Sequence, residues 1–296
     1  MIFSTILLNA KNKRKIVSSE YWTKSIPRKV INQYLAKLET LTEKSEQLKY
    51  KPMTIGDYKF ISRACGEKGI ILFVADNDEP DEEVINKINR TASSLRTVLD
   101  NQTRKYISEN YEQLVARFVQ SQFVIALVGT IGVGKTSLLH LLMGTPPPES
   151  HTPTIAVNIE ILDDIRFANY EIVVFDFSGR EVAGKLWDLS STDIVFLLTD
   201  STLKNIISSK SISTEILAAY PEIPIVLFAN KQDTSNALDP SAISKVMGLV
   251  SHPMVAIDLA YRENLLKVLV DVLSDYFDLD VPDLPVAQLL CTEKEA

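Results

Sequence analysis

Apolar and polar positions along the first 120 residues change period several times, and each change marks an element. Residues 1–8 and 15–22 are apolar-rich stretches of strand length joined by the polar segment 9–14, which predicts a β-hairpin. Pro27 suits the first turn of a helix. Val30, Ile31, Tyr34, Leu35, Leu38 and Leu41 then recur at the spacing of one buried helix face. Further strands are predicted at 58–64 and 70–75, separated by 65–69 with glycine at 66 and 69. An acidic turn at 76–81, containing Pro80, leads into a helix striped by Val84, Ile85, Ile88, Ala92, Leu95, Val98 and Leu99. A third helix near 103–120 carries Tyr106, Ile107, Tyr111, Leu114, Val115 and Phe118. The order β-β-α-β-β-α-α predicts a small α+β domain over 1–120, with helices covering a sheet. Its polar residues fall between apolar positions, as on a solvated face, so it reads as a binding module without catalytic chemistry.

From residue 121 the pattern becomes α/β. The run 123–128 reads as a buried strand, a glycine-rich segment follows, and 137–143 reads as helix. Residues 172–175 and 225–229 are further buried strands. No glycine-, serine- or proline-rich linker separates the two halves. The second domain is placed at 121–278. The remaining 279–296, rich in Asp and Pro at its start, is an acidic tail expected to be loosely ordered.

Composition changes this picture in one respect. The 296 residues are 46% hydrophobic and 23% charged, as in an ordinary globular chain, with a net charge of −7. Yet residues 1–120 hold 20 basic and 15 acidic side chains, and 121–296 hold 11 and 23. The total gives no nucleic-acid-like basicity, so no nucleic-acid partner is expected. The basic cluster Lys11, Lys13, Arg14 and Lys15 reads as a solvated turn, with acidic lipid or an acidic protein surface as the alternative partner. Two cysteines (Cys65, Cys291) and three scattered histidines exclude a disulfide framework and a cysteine- or histidine-rich metal cluster. No apolar run approaches the roughly 20 residues that span a bilayer. The apolar start is too short for a signal-peptide core, Ile2 excludes N-myristoylation, and Cys291 is misplaced for prenylation. The expected location is therefore cytoplasmic, with peripheral membrane contact as the only membrane association.

The chemistry lies in the second half. Gly129-Thr-Ile-Gly-Val-Gly-Lys-Thr136 is the pattern G-x-x-x-x-G-K-S/T, and it stands between a strand and a helix as that pattern requires. Gly132 and Gly134 let backbone N–H groups of the loop, Ile131 and Val133 included, approach phosphate oxygens. The helix start, with Ser137, adds its positive dipole end. Lys135 can reach the β- and γ-phosphates, and the Thr136 hydroxyl can ligate Mg²⁺. Alone, this loop means ATP or GTP. At the end of the 225–229 strand comes Asn230-Lys231-Gln-Asp233, an N-K-x-D pattern. The Asp233 carboxylate can accept from both N1–H and the 2-amino group of guanine, and adenine would leave it unpaired. That disfavours an ATP-using kinase or transporter subunit. Between the two motifs, Thr154 is placed to complete the Mg²⁺ shell and sense the γ-phosphate. Asp176 opens Asp176-Phe-Ser-Gly179, where the carboxylate can hold Mg²⁺ through water and the Gly179 amide can bond the γ-phosphate.

These residues resemble the Arf family of small GTPases, including its Arf-like and Sar-like branches and the β-subunit of the signal-recognition-particle receptor. Pro153-Thr-Ile-x-x-Asn-x-Glu160, Leu186-Trp187 and Phe228-Ala-Asn-Lys-Gln-Asp-x-x-Asn-Ala-Leu238 carry the likeness. It implies a mostly parallel six-stranded sheet with helices on both faces, GTP and GDP as ligands, and exchange factors, activators and effectors as partners. The final base-contacting loop is poorly matched; the resemblance places the Leu259 backbone amide near the guanine carbonyl. Where Arf proteins have Gln after D-x-x-G, this chain has Arg180. Guanidinium has no acceptor and cannot orient an attacking water as Gln does. It could act instead as a finger supplied in cis, or face solvent. Ile131 stands where Ras-like proteins prefer Gly and Arf proteins commonly carry Asp, and its β-branched side chain is expected to crowd the γ-phosphate or an incoming partner's Arg. The expected activity is slow or activator-dependent GTP hydrolysis, with a catalytically inactive GTP-binding scaffold as the alternative.

In the first half, the stretch from Tyr58 to Pro80 and the element order resemble longin-type domains, including the small subunits of clathrin adaptors; a roadblock-type domain is the nearest competitor. The combined resemblance is to a longin-like domain fused ahead of an Arf-like GTPase. It implies a nucleotide switch in membrane-traffic-like processes, with a longin–GTPase contact inside the chain or between two copies.

Overall fold

A computed structural model of the chain describes residues 1–23, 26–42, 51–147, 157–177 and 187–290. It divides into two units. The first is Met1–Ser121 with Phe167–Tyr170 and Asp280–Leu289; the second is Gln122–Arg166, Glu171–Leu279 and Leu290–Ala296.

The first unit holds β1 (Ile2–Asn9), β2 (Lys15–Glu20), α1 (Arg28–Thr42), β3 (Met53–Ile55), β4 (Tyr58–Cys65), β5 (Gly69–Asp76), α2 (Asp81–Asn101) and α3 (Arg104–Val119). The strands form an antiparallel sheet in the order β2-β1-β5-β4-β3. Strand alternation then assigns the helices. Ile61, Ile71 and Phe73 pack under Val84, Ile88 and Leu95 of α2 and Tyr111 and Val115 of α3. Phe60 and Ser62, on the other face of β4, meet α1. Tyr34 stacks on Phe60 with ring centroids 5.1 Å apart and donates its hydroxyl to Ser62 Oγ at 2.8 Å. The strand β3 has no counterpart in the sequence reading. Three residues at a sheet edge carry too little alternation to announce a strand, and its backbone pairing with β4 supplies the order.

This unit also contains a buried ionic cluster. Glu79 accepts from the Met1 ammonium and, at 3.3 Å, from Lys87 Nζ, which also donates to Ser121 Oγ. Burial alone would raise the Glu79 carboxyl, but the two cations outweigh it and hold it below the ordinary value. Asn169, in the Phe167–Tyr170 segment, accepts from Ile2 N–H and donates to the Val119 carbonyl. In Asp280–Leu289 the chain makes one short helix, α8 (Val286–Leu289), with Leu289 buried. Residues 291–296 of the anticipated tail lie outside the described residues.

The second unit holds β6 (Ser121–Val128), α4 (Lys135–Met143), β7 (Asn158–Phe167), β8 (Tyr170–Asp176), β9 (Ile194–Thr199), α5 (Leu203–Ala219), β10 (Ile225–Ala229), α6 (Pro240–Met247), β11 (Ser251–Pro253), a 3₁₀ turn (Leu259–Tyr261) and α7 (Arg262–Phe277). The sheet order is β11-β10-β9-β6-β8-β7, and β6, β9, β10 and β11 run parallel. Such strands are buried on both faces, which is why β6 and β9 read as unbroken apolar runs. Ala126 and Val128 face Ile206, Ile212 and Ile216 of α5, whereas Phe123 meets Tyr276 and Phe277 of α7. The order reverses direction at β6, so the carboxyl ends of β6 and β9 mark the topological switch point, the usual ligand position in such sheets.

One capping contact fixes the first helix of this unit. Arg262 Nε and Nη2 reach the Leu142 carbonyl at 3.3 and 3.1 Å, beside Gly144, which ends α4 at φ +71°. The guanidinium thus offsets the negative end of α4. Arg262→Ala is expected to cost about 1–2 kcal/mol in urea unfolding; a change under about 0.3 kcal/mol would remove this assignment.

Candidate functional site

The segment from Gly129 to Thr136 turns the chain from β6 into α4 at this switch point. Two of its glycines are there for steric reasons. Gly129 lies at φ +150°, and a Cβ on it would stand 2.6 Å from the Leu198 carbonyl oxygen. Gly134 lies at φ +102°, and its Cβ would stand 2.3 Å from Asn230 Nδ2. A Cβ on Gly132 would meet open space, as a backbone offered to a ligand requires. Val133 is buried beneath the loop, and Ile131 is 55% exposed on it.

Lys135, the first residue of α4, is 7% exposed. Its ammonium donates to the carbonyls of Gly129 and Thr130, both at 3.0 Å. Burial pulls its pKa down to about 8 against the opposing pull of Asp176. Asp176, ending β8, accepts from the Thr136 hydroxyl through Oδ2 at 2.7 Å. Its Oδ1 is buried with no hydrogen-bond partner among the described residues. Burial raises the Asp176 pKa, more than Thr136, Lys135 and His140 lower it. A buried cation, a buried carboxylate and an unsatisfied oxygen meeting at one loop form a site awaiting charge. Thr136 Oγ1 and Asp176 supply hard oxygen donors, and the orphan Oδ1 fits a Mg²⁺ ion or its water. Among the described residues no three His, Cys, Asp or Glu side chains gather around a metal position. A cation here would therefore complete its shell with phosphate and water oxygens, which is the habit of Mg²⁺.

The Asn230–Asp233 segment leaves the end of β10 and faces the same loop. Asn230 is fully enclosed. Its Nδ2 donates to the Val133 carbonyl at 2.7 Å, its Oδ1 accepts from Ala256 N–H at 2.9 Å, and its own N–H reaches the Thr199 carbonyl. Asn230 therefore ties together the phosphate loop, the segment after β10 and the segment after β11. Lys231 sits at φ +62°, in the left-handed region, and Asp233 is exposed. Ser201, itself at φ +66°, donates to the Asn230 carbonyl at 2.6 Å and accepts from Gln232 Nε2 at 2.7 Å.

Gly129, Ile131, Gly132, Val133, Gly134, Lys135, Thr136, Ser137, Asp176, Asn230, Lys231 and Asp233 thus lie at adjoining strand ends of the sheet. Thr154, Gly179 and Arg180 lie outside the described residues. Leu259 begins the 3₁₀ turn and is half exposed; the residue that Asn230 holds in this loop is Ala256, three positions earlier. Ala256 and Ser201 have no counterpart among the residues read from the sequence. An isolated Ala or Ser carries no spacing signal, and only their hydrogen bonds to Asn230 identify these residues.

Comparison with known proteins agrees with this geometry. The model of the "ADP-ribosylation factor family" matches residues 109–268, more than half of the chain. ADP-ribosylation factor-like protein 1 of Saccharomyces cerevisiae is 31% identical over 131 residues, 43% of this chain and 69% of the yeast protein. The Small COPII coat GTPase SAR1B of Dictyostelium discoideum is 28% identical over 174 residues, 54% of this chain and 88% of that protein. ADP-ribosylation factor-like protein 10 of Mus musculus is 28% identical over 130 residues, and the match spans 43% of this chain and 52% of the mouse protein. The matched region holds the phosphate loop, Asp176 and the Asn230–Asp233 segment at strand ends of one six-stranded sheet, and the chain belongs to the ADP-ribosylation factor family of small GTPases.

Proposed function

We propose that this chain is a GTP/GDP switch of membrane-traffic-like processes, in which an Arf-like GTPase works together with a longin-like domain over 1–120. The observation that carries the nucleotide reading is the charge arrangement at Lys135, Thr136 and Asp176, next to the Asn230-anchored loop. Polyphosphate would replace the Gly129 and Thr130 carbonyls as partner of the Lys135 ammonium. Thr136 and Asp176 would hold Mg²⁺, which when bound would supply charge that neutralises the polyphosphate. Asp233 would select guanine over adenine by its two-point acceptor. Thr154 and the Gly179 amide would respond to the γ-phosphate. The longin reading is supported by the five-stranded antiparallel sheet with α1 on one face and α2 and α3 on the other.

Hydrolysis would be attack of water on the γ-phosphate, helped by Lys135 and loop amides. Arg180 lacks the acceptor that orients the water, so turnover is expected to be slow without an activator protein. The second reading, a nucleotide-holding scaffold without turnover, is favoured by Arg180 together with the exposed Ile131 on the loop. No helix among the described residues is long and apolar enough to cross a membrane. The deciding experiment identifies the nucleotide that co-purifies and then follows a single turnover of bound GTP. Guanine nucleotide with turnover far below 1 s⁻¹ is the expected result. Recovery of adenine nucleotide, or of none with no GDP affinity, would overturn the reading; GTP retained without any turnover would select the scaffold.

A further inference from the structure

The phosphate loop contains one polar side chain that the nucleotide chemistry leaves unused. Thr130 follows Gly129, and its carbonyl is one of the two that accept from Lys135. Its hydroxyl accepts a 2.6 Å hydrogen bond from Asn205 Nδ2, in the first turn of α5. The orientation of that amide is fixed by its other end. Asn205 Oδ1 accepts from the Asp200 backbone N–H at 3.3 Å, a donor that an NH₂ group could not satisfy. Thr199 Oγ1 at 2.8 Å and Ser209 Oγ at 3.2 Å point at the same oxygen. The Asn205 side chain is therefore held by three groups and presents its amino group to a single loop residue. Thr199 is fully buried at the end of β9, and its carbonyl accepts from Asn230 N–H at 2.8 Å. One short network thus runs from Thr130 through Asn205 and Thr199 to Asn230. It joins the phosphate loop to the base-side loop from below, while the Asn230 side chain joins them from within at Val133.

We infer that Asn205 is a positioning residue for the phosphate loop: its amide holds Thr130, and with it the carbonyl beside Lys135, in the conformation that receives the polyphosphate. The identity of the ligand rests on the guanine-nucleotide reading; the clamp itself rests on the hydrogen bonds. Leu203 and Lys204, its neighbours in α5, are exposed and make no such link, so the effect should be confined to Asn205.

The test uses the full chain with Asn205→Ala, Thr130→Val, the double variant and Thr130→Ser. Release of N-methylanthraniloyl-GDP is measured beside the urea stability of the nucleotide-free protein. Each of Asn205→Ala and Thr130→Val is expected to speed release about tenfold, the loss of one well-placed hydrogen bond. The double variant should release no faster than Asn205→Ala alone, and Thr130→Ser should stay within about twofold of the parent because it keeps the hydroxyl. Unchanged release with lowered stability, or effects that multiply in the double variant, would overturn the clamp. If Asn205→Ala does not fold, Thr130→Val, which preserves shape, carries the same comparison against Thr130→Ser. A parent chain without GDP affinity would defeat the nucleotide reading. The variants are then compared by inorganic tripolyphosphate binding: weakening by Asn205→Ala supports the clamp, and unchanged or absent parental binding overturns it.

Discussion

Lys135→Ala is expected to lower GTP and GDP affinity roughly 10²–10⁴-fold, the loss of one or two charge-assisted hydrogen bonds to phosphate. The nucleotide-free fold should not suffer in parallel. In that state the ammonium is enclosed against two carbonyls, and burial pulls its pKa down to about 8. The folded pKa lies below the unfolded value, so between about 8 and the ordinary lysine range the unfolded chain binds more protons. Stability of the nucleotide-free protein should therefore rise as pH increases through that window. Polyphosphate acts in the opposite sense, because its charge holds the proton on Lys135. Binding above about pH 8 should take up a proton, and affinity should fall as pH rises further. Calorimetric titrations with GDP at pH 8.5, in two buffers of different ionisation enthalpy, measure that uptake. Equal heats in both buffers for the parent chain, or uptake that persists in Lys135→Ala, would remove Lys135 from this role.

The second large effect belongs to the backbone. Gly134→Ala places a methyl at φ +102° and 2.3 Å from Asn230 Nδ2. Asn230 must then give up its bonds to Val133 and Ala256, both buried. A cost of about 3–5 kcal/mol is expected, strain added to broken buried hydrogen bonds. Gly132→Ala is the control. Its φ of +77° is also left-handed, but the methyl meets nothing, so only about 1–2 kcal/mol of strain is expected. Urea unfolding of both variants without nucleotide separates the two origins. Equal losses would show that backbone strain alone matters, and that the Asn230 contact does not.

Much of this site was legible in the sequence because its chemistry is local. Gly129–Thr136 and Asn230–Asp233 are each patterns of a few consecutive residues, and the apolar runs before them name the strands. The same holds for the first unit, where alternation at Tyr58–Cys65 and helical stripes at Val84–Leu99 placed sheet and helices. What escaped was non-local. Strand β3 is defined by its pairing partner, not by its three residues.

The sequence by itself carried the two loop patterns, the apolar faces of the first unit, and the family likeness. The tertiary structure alone decided what those groups do between themselves. It turned Asn230 from a base-loop residue into the tie between three loops, and gave Gly134 a neighbour that excludes a Cβ. It also left Asp176 Oδ1 without a partner among the described residues, and set Asn205 against Thr130, 75 residues away. The reason is physical: a motif is conserved in spacing along the chain, whereas burial, charge and hydrogen-bond closure are set by strands brought together at one end of a sheet.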